Sequence, residues 1–580
     1  MKKIIALVLA VMMATVCLAA CGNSSSETTT PAAETKAAEQ TTASGNDQTA
    51  AAEESTEEET TVDLYADSAK EVVVGIVADP EQFIPWGGFS QGGRNIFPML
   101  YQTLLSDVRD PDTGDIMHYH ALMKSYEQTD DTHYTITLYE NIYDTAGNHF
   151  TASDVCFCWD GFKQGPAGSN ISGLIAYEAT GDYTIECTVA DTLGIGDFEE
   201  ILTTTNMVTQ AAYEASPDGM ASNPVGTTGY VLSEYAPGSY CVVERAPGEY
   251  WNQAANDAKD IDAGYVPTSD TNNVKKVRFE FITDTNTMAI ALESGKIDIA
   301  TSVSTIDVPF YQSDEAYSVH QYPDNMFGLI FNCSSNSPFA NENLRKAVAY
   351  SISAQDLLDT IYSGDGFKLH AFAMDYQIGY QKSWDSEDYF SQDLSKAQDY
   401  FDKYLKETNQ SADKLSFKLI HMSTDPMTKY AQVVQAALIK LTGNNNVCSL
   451  QGYDSVTYGT VRQDPTAFDL AVYNALSNKT YILYNWKNCF YGYDLSAYGN
   501  NDICFTGDSK LWDLEEAAQT TLDDDAVDAF QQYLNENCYF VNYICGPAYW
   551  VGSSLVTKWA LGAKNSVAIC AMNYDWSVKY

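Results

Sequence analysis

The sequence predicts an α/β fold, because strand-like apolar runs and helix-like segments alternate along most of the chain. The first such run, residues 72–77, ends just before Asp79 and Pro80 and is typical of a buried strand. Farther along, a strand pattern over 274–282 leads directly into a helix pattern over 285–294. A chain of 580 residues is too long for one hydrophobic core, so we expect two or three domains.

The other predicted elements follow the same alternation. Apolar residues at helical spacing predict a helix over 95–105, and alternation predicts a strand over 134–139. Ser153 and Asp154 are typical of a helix N-cap, and Gly295 is placed to end the helix over 285–294. The remaining elements are a strand over 297–300, a helix over 341–351, a strand over 417–420 and a helix over 428–441.

The N-terminus has the pattern of a bacterial secretion signal. Lys2 and Lys3 precede an apolar run over residues 4–16, which is shorter than the roughly 20 residues of a membrane span. The sequence Leu-Ala-Ala-Cys at 18–21 resembles a lipoprotein signal. That resemblance implies cleavage after residue 20, a diacylglycerol on Cys21, and a mature protein held on the outer face of the cell membrane by this anchor alone.

The composition of residues 21–70 predicts a disordered acidic linker. They are rich in Ser, Thr, Ala and Glu, and contain too little apolar surface to order themselves. A tether of this length suits a surface where a wall lies outside the membrane, as in Gram-positive bacteria.

The net charge limits the partners that we expect. The chain carries 78 acidic and 32 basic side chains, which gives a formal net charge of −46 at pH 7. Such a surface repels phosphate backbones, so nucleic acid is not an expected partner.

The cysteines predict neither a disulfide framework nor a metal site. All but Cys17 and Cys21 of the 13 cysteines lie beyond the signal, at irregular spacing. Cys156 and Cys158 face apart on a predicted helix, and no second pair completes a zinc site. Free thiols in an extracellular protein indicate a reducing habitat, and we expect no metal or cofactor.

Motifs for catalysis are weak. Residues 88–92 fit Gly-x-Ser-x-Gly, but a loop containing Pro85 separates them from the preceding strand, whereas a nucleophile elbow follows its strand directly. The chain also has no P-loop, the motif that binds the phosphates of a nucleotide. We assign no catalytic residue. A surface hydrolase that uses two carboxylates stays open as the alternative from a different functional class.

Seven blocks of sequence, taken in order, carry a family resemblance. Examples are Asn-Pro-Val-Gly-Thr-Thr-Gly-Tyr at 223–230 and Ala-Leu-Glu-Ser-Gly-Lys-Ile-Asp-Ile-Ala at 291–300. The other blocks lie at 96–105, 121–126, 134–155, 244–251 and 329–352. Together they resemble the extracellular solute-binding proteins of ABC importers, family 5, the oligopeptide- and dipeptide-binding type. The resemblance covers residues 72 to about 440.

The resemblance implies a two-lobed, periplasmic-binding-protein type 2-like fold that closes on a ligand and passes it to the permease subunits of an importer. We expect a monomer, with chain changes between lobes near residues 224 and 324. The implied segments are a signal peptide (1–20), the linker (21–70), lobe I (71–104, 223–323 and 546–580), an extra subdomain of lobe I (105–222) and lobe II (324–545).

The resemblance also implies where ligand contacts lie. The loop after the first strand would contribute Trp86, as an exposed stacking platform, and Phe89. The strand that opens lobe II would contribute Asn325 and Phe327. The third region would contribute the polar and aromatic residues Tyr473, Asn474, Asn478, Tyr481 and Trp486.

One departure from the family pattern concerns the ligand. In peptide binders the third region carries an aspartate that pairs with the α-amine of the ligand, but residues 473–481 contain none, and Asn478 is nearest in place. An amide lacks the strength of a charge-assisted bond. An oligosaccharide or another polar solute is therefore the alternative ligand to a dipeptide or oligopeptide.

Overall fold

A single eleven-stranded sheet runs through both halves of the protein. The computed structural model describes residues 70–87, 92–109, 114–190, 193–246, 274–387, 389–490, 501–560, 569 and 572–579. Their strands, numbered in chain order, are β1 (Glu71–Ile76), β2 (Leu105–Arg109), β3 (Ile116–His120), β4 (Met123–Asp130), β5 (His133–Leu138), β6 (Leu174–Ala179), β7 (Thr184–Val189), β8 (Tyr230–Ala236), β9 (Tyr240–Arg245), β10 (Lys276–Phe281), β11 (Ile299–Ala300), β12 (Tyr317–Phe331), β13 (Phe367–Lys368), β14 (Phe417–Met422), β15 (Cys448–Tyr453), β16 (Leu470–Leu476), β17 (Asn501–Asp502), β18 (Phe540–Ser553), β19 (Val556–Lys558) and β20 (Asn573–Tyr574).

Helices alternate with these strands and confirm the predicted α/β class. The α-helices of the described residues are Phe97–Leu100, Ala152–Gln164, Ile195–Thr204, Gln210–Ala215, Thr285–Glu293, Val308–Ser313, Glu342–Ser351, Ala354–Tyr362, Leu394–Thr408, Asp425–Thr442, Ser455–Val461, Leu483–Phe490, Ser509–Thr521 and Asp524–Asn537. Short 3-10 helices lie at Gly93–Asn95, Gly168–Ile171, Pro338–Ala340, Lys382–Ser386, Ala412–Lys414 and Trp576–Val578. Among the helices described, none combines the length and the apolar character that crossing a bilayer requires.

The strand order of the large sheet is β15-β14-β16-β12-β18-β11-β1-β10-β9-β8, and β13 adds to β18. Two parallel groups flank the antiparallel centre: β14 with β15 and β16, and β1 with β10 and β11. Parallel strands of this kind are buried by helices on their faces, which explains the apolar sequence of β1, Glu-Val-Val-Val-Gly-Ile.

Strands β12 and β18 connect the two lobes. The second half of β12 pairs with β16, whereas the end of β18 pairs with β11. We call the β11-to-β8 side lobe I and the β15-to-β16 side lobe II. The register of β12 against β18 shifts between Pro323 and Met326, whose partners are Pro547 and Cys545. This register shift lies at residues 324 and 546, where we expected the chain to pass between the lobes. The domain boundaries themselves stay predictions.

The segment over residues 105–215 has sheets of its own, and we call it the extra subdomain; the bounds of 105–222 expected for it stay a prediction. Strands β2 and β3 form a hairpin, and β4, β5, β7 and β6 form an antiparallel sheet in that order. The helix Ala152–Gln164 packs beside this sheet and contributes Trp159, which is fully buried.

Two predicted helix features differ from the structure. The helix expected over 95–105 is only the single turn Phe97–Leu100, because Tyr101 is extended and β2 begins at Leu105. The helix expected to be capped by Ser153 starts two residues earlier, because its N-cap is Thr151, which forms a capping box with Asp154. The helix end predicted at Gly295 is confirmed. This glycine has a φ of 69° and follows Ser294, the C-cap of the helix Thr285–Glu293.

Candidate ligand-binding site

The register shift in β12 creates a bulge at the point where the strand passes between the lobes. Asp324 and Asn325 lie between the paired residues Pro323 and Met326, and Gly546 alone lies between their partners on β18. Bulges of this kind redirect side chains and are common beside functional sites. Asp324 is exposed although β12 is an interior strand of the sheet, so one face of the sheet is open here. This opening is the candidate cleft floor.

Polar groups line the cleft floor around the bulge. The Asn325 side-chain amide donates to the Asp324 carboxylate at 2.9 Å. Ser477, just after β16, donates through its hydroxyl to the backbone carbonyl oxygens of Pro323, at 3.1 Å, and of Asp324. Although Asp324 reaches solvent, the protein atoms packed around its carboxylate partly desolvate it and raise its pKa, while the Asn325 amide and the positive charge of Arg94 lower it.

Two further groups at the end of β16 extend the floor. Leu476 pairs with Asn325 in the sheet and is 39% exposed, which is unusual for a leucine on an interior strand. Asn478 is half-buried, and its Oδ1 has no hydrogen-bond partner within the part of the chain that the structure describes. A buried acceptor without a partner is costly, so this oxygen is suited to receive a donor from a ligand.

Trp86 does not form the exposed platform that we expected, and this prediction is wrong. Its indole is 9% exposed and belongs to the core of lobe I and the extra subdomain. It packs against Phe157, Phe162 and Tyr213, with a ring-centroid distance of 4.6 Å to Tyr213. The absence of a side chain at Gly161 makes room for this ring, since a Cβ there would lie 2.5 Å from the indole. Phe89, from the same loop, lies outside the described residues.

Two other predicted contact residues are core residues of lobe II. Trp486 is fully buried, donates from Nε1 to the Phe372 carbonyl at 2.9 Å, and packs on Phe530. Phe327 is 5% exposed and packs on Tyr430. Both are large aromatic rings whose burial stabilises the lobe, so we leave them out of the proposed ligand contacts.

Tyr473 and Asn474 lie on β16, opposite Gly328 and Phe327 of β12, and both are half-buried. The Tyr473 ring lies edge-on to Phe540, and its hydroxyl accepts from the Cys489 thiol at 3.5 Å. The structure therefore brings Asn325, Asn474 and Asn478 to the same region, whereas the Tyr473 hydroxyl is engaged within lobe II.

Tyr481 lies farther along and joins lobe II to the extra subdomain. Its hydroxyl is 2.7 Å from the Nε2 of His118, and it also donates to the Glu199 carboxylate, which accepts a second bond from Tyr126. The Nδ1 of His118 is 2.8 Å from Asp107. We call this group the closure network; its members are Asp107, His118, Tyr126, Glu199, Thr480 and Tyr481.

The two carboxyl groups of the closure network, on Asp107 and Glu199, are held by hydrogen bonds. Thr480 donates to the second oxygen of Asp107 at 2.6 Å, which adds another bond across the lobes. Burial raises the pKa of Glu199, while the hydrogen bond from Tyr126 and the charge of His118 lower it in part. These bonds replace water only when the extra subdomain meets lobe II, so they stabilise that arrangement.

A second contact between the extra subdomain and lobe II is ionic. The Lys487 ammonium is 2.5 Å from Asp197 and is 8% exposed, and Lys479 lies 3.6 Å from Glu200. Beside this pair, Glu515 is fully buried and accepts from Gln519 at 2.8 Å. Burial raises the pKa of Glu515 to about 8, so this carboxyl group is largely neutral at pH 7.

Sequence reasoning missed Asp324, Arg94 and the closure network. Asp324 had a local signal, because a Pro-Asp-Asn triplet at 323–325 stands directly before the apolar run at 326–331. The closure network had none, since His118 and Tyr481 are 363 positions apart and only the fold brings them together.

Comparisons with known proteins agree with this architecture. Residues 118–491 match the family model "Bacterial extracellular solute-binding proteins, family 5 Middle". The protein named "Probable D,D-dipeptide-binding periplasmic protein DdpA" of Escherichia coli (strain K12) is 22% identical over 381 residues, which cover 64% of this chain and 68% of that protein. The dipeptide-binding protein DppE of Bacillus subtilis (strain 168) is 24% identical over 345 residues, covering 53% of this chain and 58% of that one.

A solved structure shows the same fold at low sequence identity. The oligopeptide-binding protein AppA from Bacillus subtilis, solved in complex with a nonapeptide, superposes with a TM-score of 0.59 and 17% identity, covering 87% of this chain and 98% of that one. The predicted two-lobed fold is thus confirmed, and the family is one of binding proteins, which removes the hydrolase alternative. Because the family model covers well over half of the sequence, this chain belongs to the bacterial extracellular solute-binding proteins of family 5.

Proposed function

We propose that this protein is the extracellular substrate-binding subunit of an ABC importer and that it captures short peptides for a membrane permease. The observation that carries the proposal is the open cleft floor at the lobe crossing, where Asp324, Asn325, Ser477 and Asn478 surround the bulge. Peptide backbones present both N–H donors and C=O acceptors, and this floor offers partners for both.

The names of the relatives support peptides over other solutes. The two curated relatives are named for dipeptides, and the AppA structure holds a nonapeptide. The sequence alignments cover only about half to two thirds of the curated relatives, so the ligand class is taken from the cleft and the names together.

A different polar solute, such as an oligosaccharide, is the second candidate. It is favoured by the absence of an aspartate from residues 473–481 and by two half-buried tyrosines, Tyr473 within that region and Tyr484 just after it. Sugars pack well on aromatic faces and bond to amide side chains.

Mass spectrometry separates the two candidates. The purified protein is denatured, and the small molecules it releases are identified, both as isolated and after incubation with an equimolar pool of free dipeptides and tripeptides. Peptides retained above the level of a heat-denatured control support the proposal. Release of a sugar, together with no retention of any peptide from the pool, would favour the second candidate instead.

We further propose that the protein acts as a monomer tethered by a lipid on Cys21, with residues 21–70 as a flexible spacer, on the outer face of a Gram-positive cell. The support is the lipoprotein-like signal and the acidic, low-complexity composition of that segment. This arrangement would keep the binding lobes near the permease while leaving them free to reorient.

A further inference from the structure

Four groups of the closure network form a continuous polar chain between two carboxylates. The Glu199 carboxylate is hydrogen-bonded to the Tyr481 hydroxyl, which lies 2.7 Å from Nε2 of His118. On the other side of the imidazole ring, Nδ1 lies 2.8 Å from the Asp107 carboxylate. Both carboxylates and the imidazole belong to the extra subdomain, whereas Tyr481 comes from lobe II. The polar chain is therefore complete only where these two parts of the protein meet.

The three links of this polar chain need more hydrogens than its groups hold at neutral pH. Each link joins two electronegative atoms, and without a hydrogen between them two lone pairs would face each other. The Tyr481 hydroxyl brings one hydrogen, a neutral imidazole brings one, and an ionised carboxylate at each end brings none. The Asp107 side chain is only 4% exposed, so water has little room to relieve a missing hydrogen. The complete polar chain therefore requires one additional proton.

Neighbouring hydroxyl groups do not supply this hydrogen, because they bind the other oxygen of each carboxylate. Tyr126 donates to Oε1 of Glu199, whereas Tyr481 contacts Oε2. Thr480 donates to Oδ2 of Asp107 at 2.6 Å, whereas His118 contacts Oδ1. Each carboxylate thus keeps one oxygen for the polar chain, and the additional proton has to come from solvent.

The charged groups nearest to the polar chain are engaged elsewhere. The Arg109 guanidinium packs on the Tyr376 ring at 3.6 Å, the Lys479 ammonium lies 3.6 Å from Glu200, and Nδ1 of His120 lies 2.6 Å from the Lys124 carbonyl oxygen. Burial raises the pKa of the surrounding tyrosines, so they stay neutral; they are Tyr119 on β3, Tyr126 on β4 and Tyr134 on β5. The groups that can hold the additional proton are the imidazole and the two carboxylates at the ends.

We propose that the polar chain is a proton-coupled latch: the extra subdomain and lobe II close together with the uptake of one proton, shared among Asp107, His118 and Glu199. The proposal rests on the proposed function and adds its regulation by pH. When lobe II is withdrawn, Nε2 of a neutral His118 can accept from water, and the one imidazole hydrogen serves Asp107. The closed state thus holds one proton more than the open state, so closure and ligand retention are favoured as the pH falls.

The test is calorimetric titration of the full-length protein with a peptide retained from the pool of free dipeptides and tripeptides. The titration is repeated in buffers of equal pH and different ionisation enthalpy, because the dependence of the observed enthalpy on the buffer counts the protons taken up. Wild type should take up close to one proton per peptide at about pH 7.5, where an unperturbed histidine is mostly neutral. Its affinity should rise by up to about tenfold for each pH unit between about 8 and about 7.

Two variants remove the latch, and two controls keep it. His118→Gln and Tyr481→Phe should each take up almost no proton and bind with little dependence on pH, because neither variant completes a titrating chain. His133→Gln, an exposed histidine on β5 of the same subdomain, should behave like wild type. Glu515→Gln should also keep the uptake, although its carboxyl group lies beside the second contact between the same two parts. Thermal melts without peptide check that every variant is folded.

Separate results would overturn the latch and the peptide function. If wild type binds a peptide with no proton uptake, or if the uptake is lost in Glu515→Gln and kept in His118→Gln, the latch is wrong and the peptide function stands. The measurement on wild type needs no variant, so a misfolded variant cannot hide the answer.

If wild type retains no peptide, the peptide function fails, and unfolding without ligand decides the latch. Urea unfolding of wild type and Tyr481→Phe is then compared between about pH 8 and about pH 6.5. The latch predicts that the stability advantage of wild type over Tyr481→Phe grows as the pH falls. A constant difference across this range would overturn it.

Discussion

Glu515 is a carboxyl group inside lobe II, next to the ion pair between Lys487 and Asp197. Its folded-state pKa of about 8 lies above the 4.5 of an exposed glutamate. A raised pKa means that the folded protein binds the proton more tightly than the unfolded chain does. The stability this provides is fully present below pH 4.5 and is lost as the pH rises through about 8.

We therefore expect Glu515→Gln to flatten the pH dependence of stability, since a buried amide needs no proton. The measurement is urea unfolding of wild type and variant at pH values between about 5 and about 8. The free energy of unfolding of wild type should fall more steeply over this range. Asp513→Asn, at an exposed position on the same helix, is the control and should behave like wild type. Equal slopes for wild type and Glu515→Gln would show that Glu515 is not the group responsible.

Trp86 gives a second prediction at this scale. Because the indole fills a space between Phe157, Phe162 and Tyr213, Trp86→Ala should lower the free energy of unfolding by about 3–5 kcal/mol. Trp86→Phe should lose less, since it keeps part of the aromatic packing. Thermal and urea unfolding provide the measurement. If Trp86→Ala unfolds with the same free energy as wild type but binds the peptide more weakly, Trp86 is a ligand contact and not a core residue.

The surroundings of Trp86 explain why sequence alone misplaced it. A Trp followed by Gly87 in a Pro-containing loop is equally compatible with an exposed ring and a buried one. The outcome is decided by Gly161 and Tyr213, residues of the extra subdomain that are distant in sequence. By contrast, Gly295 was predictable, because the end of a helix is determined by its own few residues.

At the scale of elements, the contact between the extra subdomain and the segment after β16 depends on the closure network. Tyr481→Phe removes the hydroxyl that lies between His118 and Glu199 but keeps the ring. If these bonds form when the lobes close on ligand, the variant should bind the retained peptide about 3- to 10-fold more weakly, mainly through faster dissociation. Its melting temperature without ligand should change less than that of Trp86→Ala.

Tyr484→Phe is the matched control for this variant. Tyr484 is half-buried on the same segment, and its ring packs against the Lys479 ammonium at 3.8 Å, a contact that Phe preserves. Stopped-flow dissociation of the peptide distinguishes the two variants. Equal dissociation rates for Tyr481→Phe and wild type would mean that the closure network does not hold the lobes together.

Elements differ in how well local sequence predicts them. The helix Asp425–Thr442 and the strand β14 matched their patterns closely, because each buries one continuous apolar face. The helix expected over 95–105 was wrong, since its apolar residues are required by the lobe I core and the chain turns extended at Tyr101. The length of β12 was not predictable either, because it depends on pairing with β18 more than 200 positions away.

At the scale of the whole molecule, the proposed tether depends on the N-terminal segment alone. We expect Cys21→Ala to release the protein from membranes, because no thiol would remain at the cleavage site to carry the diacylglycerol. Fractionation of cells that express wild type or variant, with mass spectrometry of the N-terminal peptide, is the measurement. Cys17→Ala is the control and should stay membrane-bound. A variant that remains in the membrane fraction, with no lipid on wild-type Cys21, would contradict the anchor.

The central claim is that two lobes joined by β12 and β18 close over a peptide at the bulge. Small-angle X-ray scattering of the full-length protein, with and without a saturating retained peptide, tests it most directly. We expect the peptide to reduce the radius of gyration. Identical scattering curves with and without peptide, under conditions where calorimetry shows full occupancy, would contradict closure around the ligand.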